Sequence, residues 1–190
     1  GEPKGISWDD FIALLETTTA GEPLDLRDRA IMIFLFDSGC RAGGLSKLKL
    51  EDLDLERRRA IVTEKGDKTR PVFYKELTAN ALRAWLKVRP KDRGPWVFTS
   101  VKGGRLKPNS IYHMLRKRGK EAGCEGPVNT HAFRHGFARA YLLSGGDLGT
   151  LADILGHSTV AVTKEYYGIF TADELQRQHD KHSPIGGLQE

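Results

Sequence analysis

The C-terminal part of the chain concentrates side chains that could act on a phosphate ester. His131 and Arg134 are followed by His157 and Tyr166, and another arginine, Arg41, lies far upstream. Guanidinium groups neutralise phosphates, imidazoles exchange protons, and a tyrosine oxygen can act as a nucleophile. The set therefore fits attack on a phosphodiester without a metal ion.

His131 and Arg134 are three residues apart, so on a helix they share one face. A helix that begins near residue 130 places His131 in its first turn, where free N–H groups and the helix dipole favour an anion. A first-turn histidine and a surface arginine are common, so the pair alone favours a solvated helix face over a phosphate site, and only further motifs can change that balance.

A metal site is another interpretation, because His131 and His135 are four residues apart. The zinc-protease pattern needs glutamate where this chain has Ala132, and no third ligand is evident. The two cysteines, Cys40 and Cys124, form no CxxC pair. We therefore expect neither a metal nor another cofactor.

Taken in order, these motifs resemble the catalytic domain of the tyrosine recombinase (phage integrase) family. The matching residues are Gly39-Cys40-Arg41, Lys65, His131-Ala132-Phe133-Arg134, Leu155-Gly156-His157 and Tyr166. Tyr166 follows His157 by nine residues, which is the spacing of that family. The resemblance extends from Ser7 to the helix after Tyr166, and its strength lies in the order and context of motifs that are each weak alone.

The resemblance implies that Arg41 and Arg134 clamp the non-bridging oxygens of a scissile DNA phosphate. Tyr166 would attack the phosphorus and form a covalent 3′-phosphotyrosyl bond. His131 would accept a proton or a hydrogen bond, and His157 would donate to the phosphate. A tyrosine phenol is protonated at neutral pH, so the nucleophile needs such neighbours.

Two assignments have a neighbouring rival. Lys65 is the general-acid candidate for the departing 5′ oxygen, because a hairpin tip can reach into a DNA groove, and Lys68 lies in the same turn. Tyr167 is adjacent to Tyr166, but the spacing favours Tyr166 as the nucleophile.

The chain departs from the family pattern beside Arg41. Gly44 stands three residues later, where the family usually has an acidic residue that supports the arginine. We expect another group to hold Arg41, or a looser hold and a weakened or partner-dependent enzyme. Cys40 replaces the usual leucine, and we expect it to pack in the interior.

Hydrophobic periodicity and capping residues predict a mainly α (α+β) fold, a helical domain with a small antiparallel sheet. Predicted helices follow Ser7 and cover 25–38, 41–48, 78–88, 109–122, 130–143 and 147–155, with a short helix carrying Tyr166 and a last one opened by Thr171. Strands over 59–64 and 69–74 form a hairpin whose turn is 65–68, and a short strand covers 96–99.

The net charge of +5 and the pI of about 9.2 favour a nucleic-acid partner. Basic residues are concentrated at 57–59, 65–70, 83–93, 102–107 and 116–120. Any one cluster fits a solvated face, but their recurrence favours an extended track for a phosphate backbone.

The longest apolar run, 30–36, is too short to cross a bilayer and predicts a buried helix. Two unpaired cysteines suit a reducing compartment, and we expect a cytoplasmic, nucleoid-associated protein. We predict a leader or linker remnant at 1–6, the catalytic domain at 7–170, and a C-terminal helix and tail at 171–190 that could dock on a neighbouring protomer. A separate N-terminal DNA-binding domain, usual in the family, is not expected in this chain.

The resulting prediction is a site-specific recombinase or integrase of a phage or other mobile element that cleaves and rejoins double-stranded DNA, acting as a homotetramer. Relaxation of DNA by a type IB topoisomerase is an alternative, but such an enzyme would carry lysine or arginine in place of His131. A catalytically weak DNA-binding domain is another alternative, to which Gly44 lends weight.

Overall fold

The described residues form several helices and one small antiparallel sheet. The computed structural model describes residues 5–157, 160–167 and 170–188, without the side chains of residues 165–167. Within these ranges the helices are α1 (Trp8–Glu16), α2 (Pro23–Ser38), α3 (Ala42–Ser46), α4 (Glu76–Val88), α5 (Pro108–Ala122), α6 (Thr130–Leu143), α7 (Leu148–Leu155), α8 (Val160–Tyr167) and α9 (Ala172–His182). The strands are β1 (Leu53–Asp54), β2 (Arg59–Thr63) and β3 (Thr69–Phe73). The predicted mainly α (α+β) fold is confirmed.

The chain divides into two compact units, residues 1–137 and 138–190, and the division falls within α6. The first unit contains α1 to α5, the sheet and the beginning of α6, and the second contains the end of α6 with α7, α8 and α9. The predicted site residues are Arg41, Lys65, His131 and Arg134 in the first unit, and His157 and Tyr166 in the second.

Capping residues set the ends of the first two helices. The Ser7 side chain accepts a hydrogen bond from the Asp10 N–H at 3.1 Å and begins α1. The prediction that Asp25 opens the next helix is wrong, because α2 begins at Pro23 and Asp25 instead completes a capping box with Glu22. The predicted end is confirmed, since Gly39 adopts a left-handed φ of 69° after Ser38.

The central element of the first unit is α2, which is buried on nearly every side. Its residues Ala30, Ile31, Met32, Ile33, Phe34 and Leu35 are all in the core, as the apolar run predicted. The helix packs against α4 and β3. Burial of each large apolar side chain there stabilises the fold by about 1.5–3 kcal/mol. The helix is therefore a rigid support for the loop that follows it.

An aromatic cluster joins α1, α2 and α6 within the first unit. The rings of Phe11 and Phe36 are 4.5 Å apart, and Phe133 meets Phe36 edge-on at 6.1 Å. Phe133 is fully buried and precedes Arg134 directly. The cluster therefore fixes the rotation of α6, and with it the direction in which Arg134 leaves the helix.

The sheet is an antiparallel meander in the order β1-β2-β3. Ala60 pairs with Val72, and Val62 pairs with Arg70. Ala60, Val62 and Val72 face the core, which is the alternation expected of a half-buried hairpin. The predicted hairpin is confirmed, although its strands end at Thr63 and Phe73.

Two predictions failed between these elements. Residues 96–99 do not form a strand and make only isolated bridges, Trp96 with Lys49 and Thr99 with Arg105. The helix predicted for 41–48 is shorter, because α3 ends at Ser46 and a 3-10 turn follows at Leu50–Asp52. In both places distant partners, rather than local periodicity, decide the backbone.

The segment before α1 crosses α6 at close range. The Ile6 N–H donates to the Ala132 carbonyl at 2.9 Å, and Ile6 is buried. A Cβ added to Gly136 would lie 2.7 Å from Ile6 Cγ2 and 2.9 Å from the Ile6 carbonyl oxygen. Gly136 is therefore required for this approach, and Ile6 belongs to the packed core.

The helix ends of the second unit follow the predicted capping pattern. The Asp147 carboxylate accepts from the Thr150 N–H at 2.8 Å at the start of α7, and Gly156 ends that helix with a φ of 73°. Thr171 and Glu174 form the predicted capping box of α9. Glu174 also accepts from Arg139 Nη2 at 3.0 Å, which ties α9 to the end of α6. Among the helices of the described ranges, none has the length and apolar character to cross a membrane.

Candidate active site

Arg41 lies at the turn between α2 and α3. The left-handed Gly39 ends α2, and Arg41 then takes the N-cap position of α3 with extended φ and ψ of −79° and 155°. Its side chain is 47% exposed, and its Nη1 donates a hydrogen bond to Glu64 Oε1 at 3.0 Å. The expectation that a group other than residue 44 holds Arg41 therefore has an observed counterpart in Glu64.

Arg134 approaches the same turn from α6. Its Nη1 donates to the Gly39 carbonyl at 2.7 Å, and the residue is buried, at 4% exposure. The acceptor lies two residues before Arg41. The structure thus brings the two predicted clamp arginines together, although they are 93 positions apart in the sequence.

Cys40 marks the centre of this charged cluster. Burial raises the pKa of its thiol to about 12, against the opposing fields of Arg70, Arg134 and Arg41. The charges of all these groups and of Glu64 act on the thiol, so all four charged side chains lie near this short backbone segment. Cys40 is packed in the core, as predicted for that position.

His131 lies exposed in the first turn of α6, the position predicted to favour an anion. The Asn129 side chain accepts from the Ala132 N–H at 2.8 Å and caps the helix. Nε2 of His131 is 3.1 Å from Nε2 of His135, which is buried. One of these nitrogens carries the shared proton, so His135 constrains the tautomer and the direction of His131.

Lys65 lies in the turn between β2 and β3, as predicted. The turn is closed by the Glu64 N–H donating to the Lys68 carbonyl at 2.7 Å, and Gly66 and Asp67 have positive φ of 77° and 57°. Both Lys65 and Lys68 are exposed, so the geometry leaves both lysines available.

His157 follows the left-handed Gly156 at the end of α7. Its Nδ1 is 2.6 Å from the hydroxyl of Thr163, which is fully buried on α8. If that hydroxyl donates to Nδ1, the ring proton lies on Nε2, and His157 is then a donor. Within the second unit this bond connects the histidine to the helix that carries Tyr166.

The predicted helix that carries Tyr166 is present. The backbone of Tyr166 and Tyr167 belongs to α8, three and four residues after Thr163. Their side chains lie outside the described residues, so the direction of the Tyr166 phenol stays a prediction.

Sequence reasoning missed three residues that contact the predicted site residues or cap their helix: Glu64, Asn129 and Thr163. Glu64 immediately precedes Lys65, and an acidic residue flanked by a predicted strand and a lysine-rich turn was a usable signal. The hydrogen bond between Thr163 and His157 depends on how α7 and α8 pack, and no local sequence pattern predicts it.

The structure separates the basic clusters into structural and exposed members. Arg118 is half-buried and binds Asp25 at 2.9 Å and Asp28 at 2.8 Å. Arg89 donates to the carbonyls of Pro90, Gly94 and Trp96. The exposed members are Arg57, Arg58, Arg59, Lys65, Lys68, Lys87, Lys91, Arg93, Lys102, Lys107, Arg116, Lys117 and Lys120. Only these remain candidates for a phosphate track.

The described residues contain no group of three or more histidine, cysteine, aspartate or glutamate side chains arranged to hold a metal ion. His131 and His135 contact one another instead, with ring centroids 4.6 Å apart. A third donor would be needed for a usual zinc site.

Comparison with known proteins places the chain in a family. The sequence profile of the phage integrase family matches residues 6–172, which is most of the chain. The chain belongs to the phage integrase family. Two relatives are tyrosine recombinase XerC of Alcanivorax borkumensis, 38% identical over 86% of this chain and 55% of the relative, and tyrosine recombinase XerD of Listeria innocua, 34% identical over 86% and 57%. This phage integrase chain thus spans a little over half the length of these relatives.

Solved structures agree with the fold. The crystal structure of XerA recombinase is similar with a TM-score of 0.84 and 33% identity, over 97% of this chain and 66% of that one. The Tn1549 transposon integrase, solved in complex with circular intermediate DNA, gives a TM-score of 0.78 at 21% identity, over 95% of this chain and 68% of that one. The phage integrase chain therefore has the fold of a tyrosine recombinase catalytic domain.

Proposed function

We propose that this chain is the catalytic domain of a site-specific DNA recombinase that cleaves and rejoins strands through a covalent 3′-phosphotyrosyl intermediate. Arg41 and Arg134 bind the non-bridging oxygens of the scissile phosphate, and Tyr166 is the nucleophile. The observation that carries the proposal is the hydrogen bond from Arg134 to the Gly39 carbonyl, because it brings both arginines to one turn.

The chemistry follows from charge and proton placement. The Tyr166 oxygen forms a bond to phosphorus while the bond from phosphorus to the 5′ oxygen breaks. His131 accepts the phenol proton, and Lys65 supplies a proton to the departing 5′ oxygen. Rejoining is the reverse reaction, so the energy of the phosphodiester is kept and no ATP is consumed.

The two arginines provide the main stabilisation of the transition state. Phosphoryl transfer depends above all on neutralising charge on the equatorial oxygens, and a guanidinium fork matches those oxygens while remaining charged. His157 adds a donor, for which its contact with Thr163 is the supporting geometry. Removing one such preorganised donor costs about 3–4 kcal/mol in comparable sites.

Double-stranded DNA is the proposed partner. The relatives are named tyrosine recombinases, and similar integrase and recombinase structures have been solved with DNA. The exposed lysines and arginines of the first unit fit a phosphate backbone, which supports contacts that are mostly independent of sequence. We propose that the working form is a homotetramer on DNA at the nucleoid, with the segment 171–190 docking on a neighbouring protomer.

Covalent trapping tests this function. The full chain is incubated with a pool of nicked suicide duplexes of randomised sequence, without ATP and with EDTA. A labelled band that survives SDS, shifts in mobility and disappears with protease is the expected result. The recovered duplexes are sequenced to give the preferred site.

Matched tyrosine variants control the assignment. Tyr166→Phe abolishes the adduct, whereas Tyr167→Phe retains it, because only the phenol of Tyr166 is the nucleophile. Binding without any adduct from the wild-type chain would identify a DNA-binding domain instead. An adduct that survives Tyr166→Phe would contradict the assigned nucleophile.

A further inference from the structure

Glu64 connects two arginines across the hairpin beside the proposed phosphate site. A single oxygen, Oε1, accepts from Arg41 Nη1 at 3.0 Å and from Arg70 Nε at 2.8 Å. Arg41 is the N-cap residue of α3, Glu64 directly follows β2, and Arg70 lies on β3. The carboxylate thus ties the turn that carries Arg41 to the rigid sheet.

Of the three side chains, Glu64 and Arg70 are largely buried and Arg41 is half-exposed. The exposed fraction is 12% for Arg70 and 19% for Glu64, whereas it is 47% for Arg41. Burial raises the pKa of Glu64, but hydrogen bonds and charge from Arg70 and Arg41 outweigh it and hold the pKa below its usual value. Glu64 is therefore charged at neutral pH and firmly anchored on the Arg70 side.

Position 44 is tightly packed against the core. A Cβ at Gly44 would lie 3.2 Å from Cys40 Sγ and 3.2 Å from Val62 Cβ, both in the core. Glu64, which directly follows β2, accepts a hydrogen bond from Arg41 Nη1 at 3.0 Å. The carboxylate that holds Arg41 in this chain comes from the hairpin and not from α3.

We propose that Glu64 is a positioning residue that aims the Arg41 guanidinium at the scissile phosphate. The inference rests on the proposed function and deepens it, since Glu64 acts through Arg41 and touches no reacting atom. Glu64 engages Nη1 and leaves Nε and Nη2 of Arg41 to form a fork toward a phosphate. Arg70 offsets the negative charge of Glu64, so the trio remains net positive and attracts the anion.

The test compares two substrates that differ in charge at one position. Glu64→Gln keeps the size of the side chain and can still accept hydrogen bonds, but it removes the charge that orders Arg41. On the duplex selected by covalent trapping, we expect single-turnover cleavage to slow about tenfold to hundredfold, with DNA affinity unchanged. On the same duplex with a neutral methylphosphonate at the scissile position, the clamp is not needed, and we expect the defect to shrink to about threefold or less.

Two other variants test whether Glu64 acts through Arg41 and whether net charge alone matters. Arg41→Ala should show the same dependence on substrate charge, and combining it with Glu64→Gln should add no further loss, because one acts through the other. Glu121→Gln is the matched control for net charge. Glu121 is 44% exposed and makes only a long contact, 3.9 Å, with Arg118, which Asp25 and Asp28 already hold. It should cleave both substrates at the wild-type rate.

The possible outcomes separate the two proposals. An equal defect of Glu64→Gln on the charged and the neutral phosphate would show a structural role only and overturn the inference, as would a wild-type rate. Additive losses for Glu64→Gln and Arg41→Ala would also overturn it. Absence of any adduct from the wild-type chain would instead contradict the proposed function, whatever Glu64 does.

Discussion

At the scale of single residues, the site depends on how each charged group is held. Arg134 is buried and hydrogen-bonded to a backbone carbonyl, whereas Arg41 is half-exposed and held by one carboxylate. Lysine could not replace either, because an ammonium lacks the planar fork of donors. One guanidinium is therefore buried and held by the backbone, and the other is half-exposed and held by the Glu64 carboxylate.

The exposed Lys65 is predicted to protonate the leaving 5′ oxygen. Lys65→Ala should slow cleavage by about a hundredfold or more, as expected for loss of a general acid. A substrate with a bridging sulfur at the 5′ position should restore the rate, because a thiolate leaves without a proton. Lys68→Ala is the control, and rescue of Lys68→Ala instead of Lys65→Ala would reverse the assignment.

The buried Cys40 should be chemically silent in the folded chain. Burial raises its pKa to about 12, so the thiol stays protonated near neutral pH and the reactive thiolate forms only on unfolding. Alkaline pH above the ordinary thiol value of 9.0 therefore favours the unfolded state. In a Cys124→Ser background, a disulfide reagent should label Cys40 slowly at about pH 8 and rapidly in denaturant. Rapid labelling without denaturant would contradict the packing around Cys40.

At the scale of elements, α6 positions the site because three other segments hold it. Phe133 packs against Phe11 and Phe36, and the segment at Ile6 crosses the helix at Gly136. His131 and Arg134 lie on the same two turns of the helix as these contacts. The orientation of both side chains therefore depends on the core packing at Phe133 and Gly136.

Gly136→Ala tests that dependence. The added methyl would meet the Ile6 backbone oxygen at 2.9 Å, so we expect a loss of about 1–3 kcal/mol in the free energy of unfolding. Gly43→Ala, on α3, is the matched control because its added Cβ would meet no atom within 4 Å outside its chain neighbours and the backbone of its own helix. Denaturant unfolding of both variants measures the difference, and equal stability of the two would contradict the close crossing at Gly136.

Local signals explain which elements could be predicted from sequence. Gly39, Gly123 and Gly156 each take the left-handed conformation that ends a helix, and these ends were predicted correctly. The capping box of Thr171 and Glu174 was also visible, because its two partners are three residues apart. Such features depend on neighbours in the chain and need no tertiary information.

Features that depend on distant partners could not be predicted in the same way. Residues 96–99 look like a strand, but their partners are single residues, Lys49 and Arg105, and no ladder forms. The contact between Glu64 and Arg41 joins residues 23 positions apart through the shape of the hairpin. Family resemblance supplied the order of the site residues, and only the fold supplied the groups that hold them.

At the scale of the whole molecule, some basic side chains are exposed, whereas others are paired with carboxylates inside the fold. Arg118 binds Asp25 and Asp28 between helices, so it stabilises the fold and is unavailable to DNA. The exposed basic residues alone supply the proposed backbone contacts. The proposed reaction further requires that groups from both units act on one phosphate, with Tyr166 supplied by the same protomer or a neighbour.

The most direct measurement of this central claim is the chemical identity of the covalent adduct. The trapped complex is digested with protease and nuclease, and tandem mass spectrometry locates the nucleotide on the peptide. We predict a single 3′-phosphonucleotide linked to Tyr166, which Arg41→Ala and Arg134→Ala each reduce strongly. Attachment at another residue, a 5′ linkage, or an undiminished yield after loss of both arginines would contradict the account.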